Sequence, residues 1–189
     1  MKPWGWHTTK EYILTTTHVS MESASPWVRR FASQIPKTGT VLDLACGRGR
    51  HSFLLAQMGY AVLAVDQDIH QIEKSNNSLI CSKALNLEEE VWPLAESKFS
   101  GIVVTNYLYR PHLERLPEML EKKGVLIYET FAQGNEQFGR PSNPNFLLKT
   151  GELLDLAQGH GLKVLAYEDI YQDEPKPAMV QRLCAVKEG

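Results

Sequence analysis

Apolar residues along this chain fall into short runs rich in β-branched residues, separated by stretches with helical spacing. Residues 41–44, 61–65, 79–85, 99–106 and 125–130 read as strands. Between the first two, Phe53, Leu54, Leu55 and Met58 follow a helical rhythm, and Ile69 and Ile72 do so within a predicted helix over 68–78. Ser25 followed by Pro26 marks a helix start that places Val28, Phe31 and Ile35 on one face. Pro111 opens a further helix, and Lys122-Lys123-Gly124 supplies the cations and glycine that close one. The last helix starts near Thr150, and residues 162–170 and 178–186 read as two final strands joined by a turn at 173–177. Strands alternating with helices predict an α/β fold.

The most informative stretch is Val41-Leu42-Asp43-Leu44-Ala45-Cys46-Gly47-Arg48-Gly49-Arg50. An apolar run ends in two glycines one residue apart, and a helix follows: strand, tight turn, helix, the first βα unit of a nucleotide-binding sheet. Without a Cβ, Gly47 and Gly49 let the backbone turn sharply and come close to a ligand. A dinucleotide would need a third small residue three places on, where Ser52 stands, and its pyrophosphate would face repulsion from Asp43. A cation such as a ligand ammonium would be attracted instead. Asp66 closes the second strand, where a carboxylate can accept both hydroxyls of a ribose.

Composition changes this picture little. The 189 residues suit one domain with a full sheet, and a net charge of −2 gives no global basic signature. Cys46, Cys81 and Cys184 have neither CxxC nor Cys/His metal spacing, which predicts no metal site and suits a reducing cytoplasm. No N-terminal charged start leads into an apolar core, and no run approaches membrane-spanning length.

Together the glycine turn and the two acidic strand ends resemble motif I and the following acidic residue of class I S-adenosylmethionine (SAM) methyltransferases. Ser-Pro-Trp-Val at 25–28, Thr-Asn-Tyr-Leu at 105–108 and Glu-Thr-Phe-Ala-Gln-Gly-Asn-Glu-Gln-Phe-Gly-Arg-Pro at 129–141 are similar to a small bacterial group akin to the tellurite-resistance methyltransferases. The resemblance covers nearly the whole chain. It implies a Rossmann-like, seven-stranded, mostly parallel sheet with an antiparallel last strand and helices on both faces. It also implies a single domain over 1–189, with 1–38 as an N-terminal lid or cap that carries Trp4, Trp6 and His7; alternatively, Trp4 and Trp6 pack over the sheet edge as core.

SAM is the implied cofactor, held by Asp43, Ala45, Cys46, Gly47, Gly49, Asp66, Gln67, Asn86, Leu87 and Asn106. Asn86 stands where many relatives place an acidic residue for the adenine amino group; Glu88 lies two residues on. Amino-group DNA methyltransferases carry a proline pair after the fourth strand. Thr105-Asn106-Tyr107-Leu108 has none, which argues against that chemistry. His112, in the first turn of its helix, is expected to be exposed. The long stretch 131–146, rich in glycine and proline, predicts an ordered functional loop facing the acceptor.

The implied reaction is SN2 transfer of the sulfonium methyl to a small-molecule acceptor. Tyr107, Tyr109, Glu129 and His7 are candidate bases, and Arg140 is a candidate for holding an anionic acceptor or, alternatively, for tying the loop to Glu129 or Glu136. Two other readings remain open. Arg29, Arg30, Arg48, Arg50, Arg110 and Arg140 could line a basic face for RNA, or the chain could bind SAM without catalysis.

Overall fold

The computed structural model describes residues 24–189, so the expectations for Trp4, Trp6, His7 and most of the lid lie outside the described residues. Seven strands form one sheet in the order β3-β2-β1-β4-β5-β7-β6. They are β1 (Thr40–Leu44), β2 (Ala61–Asp66), β3 (Ile80–Ala84), β4 (Phe99–Thr105), β5 (Leu120–Phe131), β6 (Leu162–Gln172) and β7 (Ala178–Lys187). β3, β2, β1, β4 and β5 pair in parallel. β7 runs antiparallel to both β5 and β6, as the sequence implied. Among the described residues, five α-helices accompany them: α1 (Pro26–Phe31), α2 (Arg50–Gln57), α3 (His70–Glu73), α4 (Arg115–Glu118) and α5 (Glu152–Gly159).

The period-2 alternation of the strands sends successive side chains to opposite faces. Val41, Val103, Val125 and Ile127 pack with Trp27, Val28, Leu55 and Tyr60 beneath α1 and α2. Leu42, Leu44, Ile102, Val104 and Leu126 pack with Leu153 and Leu156 of α5, and with Trp92, Leu113 and Leu116. Central β4 is covered on both faces and buried along its whole length. The chain leaves β1 toward β2 and β3, then returns to β4 on the other side. The C-terminal ends of β1 and β4 therefore flank the switch point where ligands of such sheets bind.

Capping at α1 follows the sequence: Pro26 occupies the first turn, and Ser25 Oγ accepts from the N–H groups of Trp27 and Val28. Two other elements depart from expectation. The helix expected over 68–78 shrinks to the single turn of α3, because only Ile69 and Ile72 are buried and Asn76 turns to φ +47°. The helix expected between Pro111 and Gly124 ends at Glu118, and Lys122-Lys123-Gly124 lies inside β5. There Lys123 has φ +65° and the β4–β5 register shifts, so the apparent helix stop is an irregularity of the strand.

Candidate active site

β1 delivers Asp43 to the switch point, buried on the α2 side of the sheet, where Ser52 Oγ donates to its Oδ2 at 2.5 Å. Burial pushes this carboxyl up to about 6; the Ser52 bond and the Arg50 charge oppose the shift without cancelling it. The chain then turns through Ala45 at φ +53° and Gly47 at φ +53°. The turn is fastened by Cys46 N–H donating to Val65 O (3.0 Å) and Gly49 N–H to Cys46 O (2.9 Å).

The two glycines serve different ends. At Gly49, with φ +81°, an added Cβ would lie 2.6 Å from Cγ1 of Ile72, so this glycine lets α2 and α3 approach each other. At Gly47 an added Cβ would meet nothing within 4 Å, although φ is in the left-handed region. The space above Gly47 is open. Cys46 beside it is buried, and its thiol is pushed up by burial and by the charges of Asp43 and Asp66.

Asp66, half-exposed at the end of β2, accepts from Gly47 N–H at 2.8 Å through Oδ2 and from Asp68 N–H at 3.1 Å through Oδ1. Each carboxylate oxygen retains a lone pair for a further donor. Gln67 Nε2 donates to Asn86 Oδ1 (3.0 Å), which also takes the Glu88 N–H (3.1 Å). The acceptor oxygen expected at Asn86 is therefore already held by two protein donors. Asn106 follows β4 at φ +55°, exposed, its N–H donating to Glu129 O. The strand ends thus bring Asp43, Ala45, Cys46, Gly47, Gly49 and Asp66 together at one turn, with Gln67 and Asn86 bonded beside it and Leu87 buried next to them. The open space over Gly47 and the free lone pairs of Asp66 suit a ribose diol. The buried, anionic Asp43 suits a neighbouring cation. This donor set fits SAM.

His51, at the start of α2, was not singled out by the sequence. It is buried, accepts from Ser25 N–H at Nε2 (3.1 Å), and faces Thr105 Oγ1 with Nδ1 (3.3 Å). Nδ1 therefore carries the proton and donates. Burial, then the charges of Arg50 and Arg29, lower this imidazole to about 3, so it stays neutral and joins the entry of α1 to the end of β4.

The candidate bases have other partners. Tyr107 donates to Leu87 O (3.4 Å), and burial raises its phenol; Tyr109 donates to Glu88 O (3.2 Å). His112, expected to be exposed, is buried against Trp92 and Tyr109, and Nε2–H donates to Glu89 O at 2.6 Å. Glu129 accepts from Arg182 Nε at 2.6 Å, and Arg182 also binds Glu168 at 2.9 Å and Gln172. Glu136 takes the Gly134 N–H. The tether from Arg140 to Glu129 or Glu136 is therefore not made: Arg140 is exposed and, among the described residues, joins no ion pair. Arg110 is likewise engaged, paired with Glu152, and does not contribute to a basic face.

The loop after β5 is closed by a bridge between Ala132 and Leu148. Buried Asn135 fastens its interior, donating through Nδ2 to Pro141 O (2.9 Å) and accepting from Met179 N–H (3.2 Å).

Comparison with known proteins agrees with this architecture. The family model described as tellurite resistance protein TehB matches residues 4–121, more than half of the chain. YqeM of Bacillus subtilis, which carries a methyltransferase name, is 24% identical over 54% of this chain and 47% of its own. TehB from Haemophilus influenzae superimposes with a TM-score of 0.67 at 21% identity, over 83% of this chain and 60% of that one. The 1,6-didemethyltoxoflavin-N1-methyltransferase of Burkholderia thailandensis, solved with 1,6-didemethyltoxoflavin and S-adenosylhomocysteine, gives 0.65 at 16% identity, over 92% and 80%. The chain thus spans about half the length of YqeM and three-fifths of the Haemophilus protein.

Proposed function

The chain belongs to the TehB family of class I SAM-dependent methyltransferases, and on that premise we propose that it moves the methyl group of SAM to a small-molecule acceptor. The observation that carries the reading is the open, positive-φ Gly47, set between buried Asp43 and the half-exposed Asp66 carboxylate. Asp66 would take the ribose hydroxyls. Asp43 would offset the positive charge of the methionine end, and the backbone from Ala45 to Gly49 would shape the floor. Segment 86–87 would border the adenine.

When bound, SAM supplies an electrophilic methyl group on a sulfonium. The protein's contribution is then to hold an acceptor atom in line and exclude water; alignment is worth roughly 7–11 kcal/mol in ideal intramolecular cases. With Tyr107, Tyr109 and Glu129 bonded within the protein, no free general base is formed from them. That favours an acceptor that is already nucleophilic, such as a soft anion or a thiolate-like group. Arg140, on the loop after β5, joins no ion pair among the described residues and supports an anionic acceptor. The TehB family's tellurite-resistance description and the toxoflavin-type substrate of the Burkholderia protein both support a small acceptor. Three free cysteines, with Cys46 and Cys184 buried and Cys81 exposed, fit a cytoplasmic setting. No helix among the described residues is long and apolar enough to cross a membrane.

The test is transfer of label from methyl-labelled SAM, with tellurite, a panel of thiols and a panel of bulk RNA as acceptors. Label in a volatile or small-molecule product, with none in RNA, is expected. Label in RNA alone would contradict the proposal.

A further inference from the structure

The segment after β4 touches two parts of the molecule at once. On one side, three successive backbone carbonyls of the loop after β3 accept from it: Leu87 O from Tyr107, Glu88 O from Tyr109 and Glu89 O from His112. On the other side, Arg110 reaches across to the far end of the loop after β5. Its Nη1 donates to Asn145 O (2.8 Å) and its Nη2 to Leu147 O (2.6 Å). Its Nε and Nη2 grip the two oxygens of Glu152 at 2.7 and 2.8 Å. Glu152 in turn accepts the Lys149 N–H at 2.7 Å, at the start of α5. Tyr128 Oη fixes the backbone between the two sets by donating to Tyr107 O (2.8 Å).

A planar guanidinium gripping both oxygens of one carboxylate with one edge, and two carbonyls besides, defines both position and angle. The fork pairs a half-buried cation with a half-buried anion: the side chains of Arg110 and Glu152 are 29% and 18% exposed. It is therefore a fixed joint rather than a fluctuating surface pair. Neither set of bonds contributes an atom to the cofactor turn itself.

We propose that Arg110 is a positioning residue that registers the acceptor loop against the cofactor site, and that segment 107–112 couples the two. The inference rests on the reading that SAM lies along Gly47, Asp66 and segment 86–87. Ordering of 86–89 by the cofactor fixes the three carbonyls that hold Tyr107, Tyr109 and His112. Through Arg110, the same segment then fixes 145–152, which closes the acceptor loop. Each ligand would pre-order what the other needs, and linkage makes the effect reciprocal.

The experiment is hydrogen exchange read by mass spectrometry on the full chain, with and without S-adenosylhomocysteine, alongside calorimetric affinity. In the wild type, S-adenosylhomocysteine should slow exchange in both 86–90 and 133–148. In Arg110→Gln, affinity should stay within about twofold and protection at 86–90 should remain, while protection at 133–148 is lost. Tyr109→Phe should weaken S-adenosylhomocysteine binding and raise exchange at 86–90; couplings of this kind are commonly about 5–150-fold. Glu152→Gln, which keeps the Arg110 bonds to Asn145 and Leu147, should give an intermediate loss at 133–148. It stands in if Arg110→Gln does not fold. Protection of 133–148 that persists in both variants, or that never appears in a wild type that binds S-adenosylhomocysteine, would overturn the inference. A wild type that does not bind S-adenosylhomocysteine would instead overturn the cofactor reading on which it rests.

Discussion

Asp43 carries the sharpest conflict between stability and function at the level of single residues. Burial holds its carboxyl near 6, against an ordinary value of 3.8, so the folded state retains a proton that the unfolded chain releases. The sign follows: this group's stabilising contribution is complete below about pH 4 and is lost as the pH rises through about 6. At 1.36 kcal/mol per unit the loss is roughly 3 kcal/mol. Asp43→Asn removes that dependence. The stability difference between variant and wild type should shift in the variant's favour between pH 4 and pH 7, whatever constant cost the new amide brings. S-adenosylhomocysteine affinity should fall in the same variant, because the anion proposed to face the ligand ammonium is gone. Denaturant midpoints at the two pH values check the first point; a difference that does not change with pH would remove Asp43 from this role. Gly47, Gly49, Asp43 and Asp66 were legible in the sequence because a strand end and a tight turn fix them locally. The partners of Tyr107, Tyr109, His112 and Arg182 were not, since those hydrogen bonds join residues brought together only by the sheet.

Among the elements, the loop after β5 was read from sequence as ordered and acceptor-facing. Its order has a visible cause in Asn135, which ties it to Pro141 and β7, and in the Ala132–Leu148 bridge. Asn135→Ala takes the bonding partner from the part-buried Met179 N–H and Pro141 carbonyl, which costs about 1–3 kcal/mol. Arg140→Ala removes an exposed cation with no ion pair among the described residues. Thermal melts should therefore show a clear drop for Asn135→Ala and none for Arg140→Ala, with S-adenosylhomocysteine affinity unchanged in the latter. A large drop for Arg140→Ala would assign it to loop structure after all. The misread elements share one cause. Lys122-Lys123-Gly124 carries the chemistry of a helix stop, yet the same residues serve a positive-φ kink in β5, where an added Cβ at Gly124 would press on Glu121 O and Phe99 O. Likewise, two isoleucines three apart support one turn of helix, not three.

At the scale of the molecule, the alternation of strands and helices was enough to give the α/β sheet, and the resemblance supplied its reversed strand; β7 pairs antiparallel between β5 and β6. That order opens a switch point between β1 and β4; Asp43, Ala45, Cys46, Gly47, Gly49 and Asp66 gather on its β1–β2 side, while Asn106 stands at the end of β4. Of the six arginines that could line a basic face, Arg110 is paired with Glu152. The central claim is that this edge binds SAM, with Asp66 as the ribose acceptor. It is tested most directly by calorimetric titration of S-adenosylhomocysteine into the wild type and into Asp66→Ala, with melts confirming that both fold. Binding to the wild type, weakened by about 1.5–3 kcal/mol when the charged acceptor is removed, is the predicted result. Equal affinity in the two proteins, or no binding to the wild type, would contradict it.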